Sequence, residues 1–368
     1  MKESTENKNI SADGGRKIVL SGIRATGNLH LGNYYGALSK FVKMQDDYDC
    51  RFFIADLHAL TTHPDPKILH ENVKQILAEY LAAGLDPDKN VVYVQSDVPE
   101  ISEMYVLMNM HVGIGELMRT ASFKDKARKA LGLSAGSADD TEEEIEKQIC
   151  GNQTNRRVNA GLLTYPTLMA VDILIHKADF VPVGKDQEQH LELTRRFARR
   201  FNSFYGVDYF GEPVNFNFGG EAVKVPGLDG SGKMGKSEGN CIYLIDDEKT
   251  LRKKVMRAVT DQGPQAPNSV PPQPIENLFT LLDLVSEPDV AKHFRDAYAD
   301  CSIRYGDLKK QLAEDILKMS LPIRQRILDI RDNDEYLSRV VREGAERARE
   351  YAAATLRDVR EIMGIRKF

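Results

Sequence analysis

Hydrophobic residues recur along the first half of the chain in short runs that end in glycine or polar residues, a pattern typical of buried parallel strands. These runs are Ile18 to Leu20, Phe52 to Ala55, Asn90 to Gln95 and Phe180 to Val183. Helix-forming segments separate the strands, the first long one from Pro66 to Ala83. The alternation predicts a parallel sheet with right-handed crossovers.

Helical periodicity takes over in the last third of the chain. Beyond a proline-rich segment at residues 262–274, apolar residues at intervals of three and four predict a series of helices. These helices span Ile275 to Val285, Val290 to Ala299, Asp307 to Arg331 and Glu335 to Gly364. The pattern therefore predicts an α/β domain over residues 16–262 and a helical C-terminal domain over residues 263–368.

Two stretches break this pattern. Residues 1–15 are polar and predict a disordered leader rather than a signal peptide. Residues 126–157 are small, polar and acidic, and they predict a partly helical surface insertion after a helix over residues 102–124. No apolar run approaches the roughly 20 residues that span a bilayer. We therefore expect a cytoplasmic protein without a membrane segment.

The composition narrows the class of protein. With 368 residues, 42% of them hydrophobic, the chain can build a core in each of two domains. The four cysteines lie far apart, which argues against a zinc ribbon or a disulfide framework. A net charge of −5 still allows a nucleic-acid partner, because a basic face can exist on an acidic protein.

The first strand leads into a glycine-punctuated turn that predicts an anion site. Gly32 and Asn33 stand near the start of a helix predicted from Tyr34 onward, where backbone N–H groups lack partners within the helix. His30 and Asn33 add side-chain donors. We interpret this turn as a nucleotide site, although such turns also serve packing alone.

A helix predicted to begin near Pro166 carries a second binding pattern. Tyr165, Met169 and Asp172 are spaced to share one face, on which Asp172 is surrounded by apolar residues. A buried carboxylate there requires a donor or a cation. An internal cap or salt bridge is one interpretation, and recognition of an indole N–H group is another. His58, after the second strand, fits a buried histidine with satisfied hydrogen bonds.

The strand that ends at Val183 is followed by Gly184, whose lack of a side chain lets a substrate approach the backbone. Asp186 and Gln187 come next and can hold an ammonium group or ribose hydroxyls. The following helix has a basic face that is either solvated or in contact with RNA phosphate. This face comprises Arg195, Arg196, Arg199 and Arg200.

The loop from Gly230 to Ser237 matches two motifs. It has the spacing of a P-loop, with Lys236 and Ser237 in the phosphate and magnesium positions. A P-loop must continue into a helix, whereas Cys241 to Ile245 predicts a strand, so the sequence disfavours this interpretation.

The other interpretation rests on a pair of motifs. His30-Leu31-Gly32-Asn33 is similar to the first signature of class I aminoacyl-tRNA synthetases, and Lys233-Met234-Gly235-Lys236-Ser237 resembles the second with glycine in place of serine. Over about residues 16–262 the chain resembles the bacterial-type tryptophanyl-tRNA synthetases. The resemblance implies a Rossmann-type parallel sheet in the catalytic domain, anticodon binding by the helical domain, and a homodimer.

The resemblance also implies roles for individual residues. The implied catalytic residues are Lys233, Lys236, His30 and Asn33. The implied ATP-binding residues are Arg24, Gly32, Gly184, Asp186, Met234 and Ser237. The implied tryptophan-binding residues are Gly22, His58, Tyr165, Met169, Asp172, Val181, Val183 and Gln187. Arg24 departs from the family, in which glutamine is common at this position.

The reaction that the resemblance implies uses ATP with Mg²⁺, L-tryptophan and tRNA(Trp). The tryptophan carboxylate attacks the α-phosphate of ATP, and the tryptophanyl group then passes to the tRNA. Two alternatives remain open. Tyrosyl-tRNA synthetases share the architecture but usually carry glutamine where Met169 stands, and a non-catalytic relative that only binds RNA is disfavoured by the presence of Lys233 and Lys236.

Overall fold

The computed structural model describes residues 15–131, 158–184, 187–216, 218 and 224–365. Residues 1–14 of the predicted leader, residues 132–157 of the predicted insertion and Asp186 lie outside the described residues.

A five-stranded parallel sheet forms the centre of the described structure. Its strands are β1 (Ile18–Arg24), β2 (Asp49–Ala55), β3 (Val91–Val94), β4 (Phe180–Val181) and β5 (Val214–Asn215). Their order in space is β3-β2-β1-β4-β5, with β1 pairing in parallel with both β2 and β4. The predicted Rossmann-type α/β class is therefore confirmed. The strand order reverses at β1, and open α/β sheets bind ligands at such a point.

Helices follow most of the strands. In the α/β part they are α1 (Leu31–Asn33, a π-turn at Tyr34–Leu38, then Ser39–Met44), α2 (Asp56–Ala59), α3 (Pro66–Ala82), α4 (Pro99–Asn109), α5 (Ile114–Met118), α6 (Ala121–Leu131), α7 (Ala160–Ile175), α8 (Glu188–Tyr205) and α9 (Glu248–Met256). In the C-terminal part they are α10 (Gln273–Val285), α11 (Pro288–Ala299), α12 (Tyr305–Arg331) and α13 (Asp334–Ile362).

Two predicted helices in the α/β part differ from the observed ones. The single helix predicted over residues 102–124 is divided into α4, α5 and α6, because Gly113 is extended and Thr120 accepts a hydrogen bond from the N–H of Phe123 where α6 begins. The helix predicted to begin near Pro166 begins at Ala160. The side chain of Asn159 accepts from the N–H of Leu162 at 2.9 Å and caps this earlier start.

The two faces of the sheet pack into two hydrophobic cores. Val19 and Phe52 point into a core shared with α1, α3 and the C-terminal helices α10 and α12. Their neighbours Leu20 and Phe53 point into a core shared with α4, α7, α8 and α13. This alternation follows from the two-residue period of a strand. The C-terminal helices therefore share both cores with the sheet.

The last helix, α13, is held to the sheet by its arginines. Arg347 donates to the backbone carbonyl groups of Pro87 and Asn90 at 2.5 and 2.7 Å. On the same helix, the ring of Tyr351 lies 3.7 Å from the guanidinium carbon of Arg51 in β2. Further along, α13 pairs Arg349 with Glu100 and Arg360 with Glu103 of α4. Arg347, Arg349 and Arg360 thus make contacts within the fold.

Within the described ranges, none of the helices combines the length and the apolar character needed to cross a membrane.

Candidate active site

A cavity of about 380 Å³ opens beside the carboxyl ends of β1 and β4. It contains ten of the residues to which the sequence assigns a binding role: Gly22, Arg24, His58, Tyr165, Met169, Asp172, Val181, Val183, Gly184 and Gln187. Gly22 lies against the ring of Phe53, and a methyl group there would lie 2.6 Å from the ring, which would then have to shift. The structure thus brings residues from three separate segments of the chain to one site.

Asp172 is buried at the inner end of this cavity, on α7. The amide of Gln95 donates to both carboxylate oxygens, at 2.7 and 2.9 Å, and Nε2 of His58 lies 3.0 Å from Oδ2. Burial raises the pKa of Asp172, while the hydrogen bond and charge of His58 and the hydrogen bond of Gln95 lower it. A carboxylate has about four acceptor positions, so this arrangement can accept a further N–H donor from a ligand.

Gln95 has no role in the sequence analysis, although a signal for it exists. It follows β3 directly, and polar residues at the carboxyl ends of parallel strands are where such sheets bind ligands. The prediction for His58 also changes in one respect, the identity of its hydrogen-bond partner. His58 has satisfied hydrogen bonding, as expected, but its partner is Asp172 inside the cavity.

Tyr165 and Gln187 are joined through a residue that the sequence analysis does not assign. The side-chain oxygen Oε1 of Gln187 lies 2.9 Å from Nδ1 of His190, so the imidazole donates from that nitrogen. Its Nε2 lies 2.5 Å from the hydroxyl of Tyr165 and 2.7 Å from that of Ser122. This chain of hydrogen bonds fixes the orientation of two side chains that line the cavity.

Two cations line the same cavity. Burial lowers the pKa of Arg24, and no described residue accepts a hydrogen bond from its buried Nε. Lys126 lies with its ammonium 3.5 Å from the centre of the Tyr165 ring, and burial together with the charge of Arg24 lowers its pKa to about 8. The sequence predicts that the insertion begins at Lys126, whereas Lys126 belongs to α6, in which Ala127 is buried. The pair places two basic side chains in the lining of the cavity.

The first signature lies at the start of α1. His30 is buried, and its backbone N–H donates to the side-chain oxygen of Asn33 at 3.1 Å, so Asn33 helps to cap the helix. Burial and the charges of Lys236 and Lys233 lower the pKa of His30 to about 4. The imidazole is therefore neutral near pH 7. Gly32 lies against the His30 ring.

The second signature lies next to the first. The ammonium of Lys236 donates to the carbonyl oxygen of Gly27 at 2.8 Å, while Lys233 is exposed. Met234 is buried and anchors the loop through its N–H, which donates to Val225 at 2.8 Å. Ser237 contacts Glu238. The loop thus places Lys236 against the turn that leads to the first signature and leaves Lys233 exposed.

Asn240 holds the shape of this loop and is absent from the sequence assignments. Its side-chain oxygen accepts from the N–H of Gly235 at 2.9 Å. Its amide donates to Asp229, Ser231 and the carbonyl of Lys233 at 2.9 to 3.1 Å.

The sequence predicts a strand over Cys241 to Ile245, but this segment forms no strand of the sheet, and Leu244 and Ile245 lie in a turn. It makes a single bridge, between Tyr243 and His30. The N–H of Leu31 donates to Ile242, and the N–H of Leu244 donates to Leu29, both at 2.9 Å. These backbone contacts join the two signatures.

The structure also excludes the P-loop interpretation. A short 3₁₀-helix, Lys236–Glu238, ends at Gly239, and a non-helical segment follows in place of the helix that a P-loop requires. Asp247 caps α9 through the N–H of Thr250.

The basic face of α8 is paired within the protein. Arg195 and Arg199 contact Glu192, and Arg200 contacts Glu116. This supports the interpretation of a solvated, ion-paired face.

Known proteins resemble the chain over nearly its whole length. Residues 13–320 match the family of tRNA synthetases class I (W and Y). A tryptophan–tRNA ligase from Porphyromonas gingivalis is 61% identical over 350 residues, which cover 95% of this chain and 100% of the relative. One from Fusobacterium nucleatum is 38% identical over 349 residues, with coverage of 95% and 98%. The crystal structure of tryptophanyl-tRNA synthetase from Campylobacter jejuni, complexed with ADP and tryptophan, has a TM-score of 0.79 and 32% identity, covering 94% of this chain and 99% of that chain.

Proposed function

The chain belongs to the class I tRNA synthetases of the tryptophan and tyrosine group, and on this basis we propose that it is a tryptophan–tRNA ligase. It activates L-tryptophan with ATP, forms tryptophanyl-adenylate and pyrophosphate, and transfers the tryptophanyl group to tRNA(Trp) with release of AMP. One observation carries the proposal. A largely apolar cavity, whose one carboxylate among the described lining residues is the buried Asp172, lies beside the turn at which both signatures meet.

Asp172 recognises the indole N–H in this proposal. Gln95 and His58 orient its carboxylate, and Met169 supplies an apolar wall of the cavity. A phenylalanine side chain would offer no donor to this buried carboxylate. Leaving it without that partner costs on the order of 1 to 3 kcal/mol, which favours tryptophan over phenylalanine.

The polar end of tryptophan lies towards Tyr165 and Gln187. His190 joins these two side chains, so that their oxygen atoms are held before the substrate arrives. Because these side chains are already ordered, they can place the carboxylate of tryptophan for in-line attack without a further loss of their conformational entropy. Gly22, Val181 and Val183 complete the walls of the cavity.

The activation step is a displacement at phosphorus. A carboxylate oxygen of tryptophan forms a bond to the α-phosphorus of ATP as the bond to the bridging oxygen breaks, and pyrophosphate leaves with the electron pair. Lys233 and Lys236 stabilise the charge on the leaving group. His30 and Asn33 hold the phosphates at the start of α1, where Mg²⁺ bound with ATP would add positive charge that offsets the charge of the phosphates.

Further contacts to ATP are proposed for Arg24, Gly32, Gly184, Asp186, Met234 and Ser237. Arg24 and Lys126 form the cationic wall of the cavity, which suits the α-phosphate and the carboxylate that approaches it. Arginine in place of the common glutamine adds a permanent positive charge at this position.

We propose a cytoplasmic homodimer. Four exposed apolar side chains support a protein interface on the side of α4, α5 and α8: Val106, Met110, Ile114 and Phe204. Single exposed apolar residues are common, whereas a group of large ones is typical of an interface. The anticodon of tRNA(Trp) is proposed to bind the helical C-terminal part.

The test is amino-acid-dependent ATP–pyrophosphate exchange with magnesium, run in parallel with tryptophan, tyrosine and phenylalanine. Exchange with tryptophan alone is the expected result. A preference for tyrosine would keep the reaction but refute the indole pocket. Absence of exchange with all three would indicate the non-catalytic alternative.

A further inference from the structure

A buried carboxylate lies behind the turn that leads to the first signature. Glu79 projects from α3 and is fully buried. One of its oxygens accepts from the backbone N–H of Leu29 at 2.9 Å, and the other accepts from the amide of Gln75 at 3.0 Å. The same face of α3 carries Asn72, which donates to the carbonyl of Ala25 at 3.3 Å. The helix therefore holds the turn at both of its ends.

The same turn holds the ammonium of Lys236. That ammonium donates to the carbonyl oxygen of Gly27 at 2.8 Å and lies 3.4 Å from that of Thr26. Two residues further along, the N–H of Leu29 donates to Glu79. The turn thus presents carbonyl groups to a cation and an N–H group to an anion. The position of Lys236 depends on a backbone conformation that Glu79 fixes.

The charges of Glu79 and Lys236 act on each other across the turn. Burial raises the pKa of Glu79 to about 7, against hydrogen bonds from Gln75 and Leu29 and the charge of Lys236, which lower it. Burial lowers the pKa of Lys236, whereas the charge of Glu79 raises it. Each group therefore favours the charged form of the other.

The remaining titratable groups around Lys236 do not replace this anion. Burial raises the pKa of Cys241 to about 11, and burial with two lysine charges lowers the pKa of His30 to about 4, so both are neutral between pH 7 and pH 9. Lys233 is a cation on the same loop. Glu79 is thus the acidic group whose charge favours the ammonium form of Lys236 at neutral pH.

We propose that Glu79 is a positioning residue for Lys236, fixing the turn on which its ammonium rests and supplying the negative charge that faces it. This inference rests on the proposed function, in which Lys236 stabilises the departing pyrophosphate. A neutral amine cannot do so. The ionised carboxylate therefore extends the pH range over which Lys236 acts.

The test is Glu79→Gln in the full-length protein. Glutamine can still accept from Leu29, and its amide can pair with Gln75 once that side-chain amide rotates, so the variant removes charge while keeping the hydrogen bonds. In tryptophan-dependent pyrophosphate exchange, the alkaline limb of the kcat profile is expected to move down by about one pH unit. The KM for tryptophan is expected to stay unchanged.

Two controls separate charge from structure. Glu71→Gln removes an acid from the exposed side of the same helix and is expected to leave the limb in place. Glu79→Asp keeps the charge on a shorter side chain, so it should retain the wild-type limb even where kcat falls. A uniform loss of kcat in Glu79→Gln, with no movement of the limb, would overturn the inference.

A second measurement needs no substrate. The pH dependence of Lys236 modification by an amine-selective reagent, followed by mass spectrometry, reports its protonation directly. The midpoint is expected about one pH unit lower in Glu79→Gln, and equal midpoints would refute the coupling. A wild-type protein that failed to catalyse tryptophan-dependent exchange would refute the proposed function. The modification experiment would still show whether Glu79 influences the protonation of Lys236.

Discussion

Gly344 in α13 lies directly against the backbone of Val92 in β3, so close that a methyl group at residue 344 would lie 1.8 Å from the Val92 carbonyl oxygen. Ala348 and Ala352, one and two turns later, are also fully buried. Small residues thus let the last helix cross the edge strand at close range. The edge of the sheet is covered as a result, which protects it from pairing with another chain.

We expect Gly344→Ala to lower the free energy of unfolding by about 1 to 3 kcal/mol, because a backbone oxygen cannot move aside as a flexible side chain would. Urea denaturation measures the effect. The matched control is Gly306→Ala in the first turn of α12, where an added methyl group meets no atom within 4 Å. That change is expected to be neutral or to stabilise by about 0.5 to 1 kcal/mol. Equal effects of the two changes would contradict the contact.

Asp172→Ala should raise the KM for tryptophan by about tenfold or more while changing the KM for ATP far less. The change removes the acceptor for the indole N–H and leaves the Gln95 amide without its partner, a loss of at least about 1.4 kcal/mol. Steady-state exchange with each substrate varied in turn measures both constants. Asp88→Ala, at an exposed position, is the control. Parallel increases in both constants would rule out recognition of the indole.

Lys233→Ala should lower the kcat of activation by roughly 10² to 10³-fold with tryptophan binding intact. Because Lys233 is exposed, its replacement is not expected to disturb the fold, so such a loss would report its role in activation. Rapid-quench measurement of adenylate formation provides the rate, and calorimetry provides the tryptophan affinity. Lys249→Ala removes an exposed lysine from α9 and should leave both unchanged. A Lys233→Ala enzyme with the normal rate would refute the assigned role.

Arg24→Gln should raise the KM for ATP by about tenfold, the factor for loss of a charge-assisted hydrogen bond of roughly 1.5 kcal/mol. It should also raise the pKa of Lys126, because the charge of Arg24 is one of the two causes that lower it. Exchange kinetics measure the first effect and amine modification measures the second. If Arg24→Gln left ATP binding unchanged and weakened tryptophan binding, Arg24 would be assigned to the carboxylate of the amino acid instead of to ATP.

Stability should fall at acid pH through His176. Burial and the charge of Arg51 lower its pKa to about 3 in the folded protein, against about 6.5 when unfolded. The neutral form is therefore favoured by folding. The contribution of the neutral His176 to the free energy of unfolding is fully present above pH 6.5. It decreases by about 1.4 kcal/mol per pH unit as the pH falls towards 3.

Urea denaturation between pH 5 and 7 checks this dependence. His176→Gln removes the titration, so its unfolding free energy should fall less steeply with acid than that of the wild-type protein. His293→Gln, at an exposed position, should follow the wild-type slope. Identical slopes in all three proteins would show that His176 does not contribute.

The sequence predicts those parts of the fold that local patterns determine. The strands at Ile18 and Phe52 and the four C-terminal helices agree with the structure to within a few residues, because periodicity reports directly which face is buried. The start of α7 is predicted wrongly because Pro166 is taken as a first-turn proline, whereas the cap provided by Asn159 decides the boundary.

The site was predictable where residues follow strand ends or signature motifs, and not where a side chain reaches it from a distant segment. Lys126 reaches the cavity, and His190 bonds to its lining residues Tyr165 and Gln187, through tertiary packing that spacing does not encode. Asn240 is similar, since the groups it binds are defined only once the loop has folded. These residues position others, and positioning residues leave little trace in a single sequence.

The joining of the two signatures by backbone hydrogen bonds limits how the nucleotide site can open. The N–H of Leu228 donates to the carbonyl of Asn240 at 3.3 Å, which closes residues 229–239 into a compact Ω-loop. Ile242 and Leu244, just beyond it, stay bonded to the turn that precedes α1. Within the described part of the chain, this loop can therefore move as one unit that carries both Lys233 and Lys236, while the backbone bonds of Ile242 and Leu244 keep the turn before α1 in place.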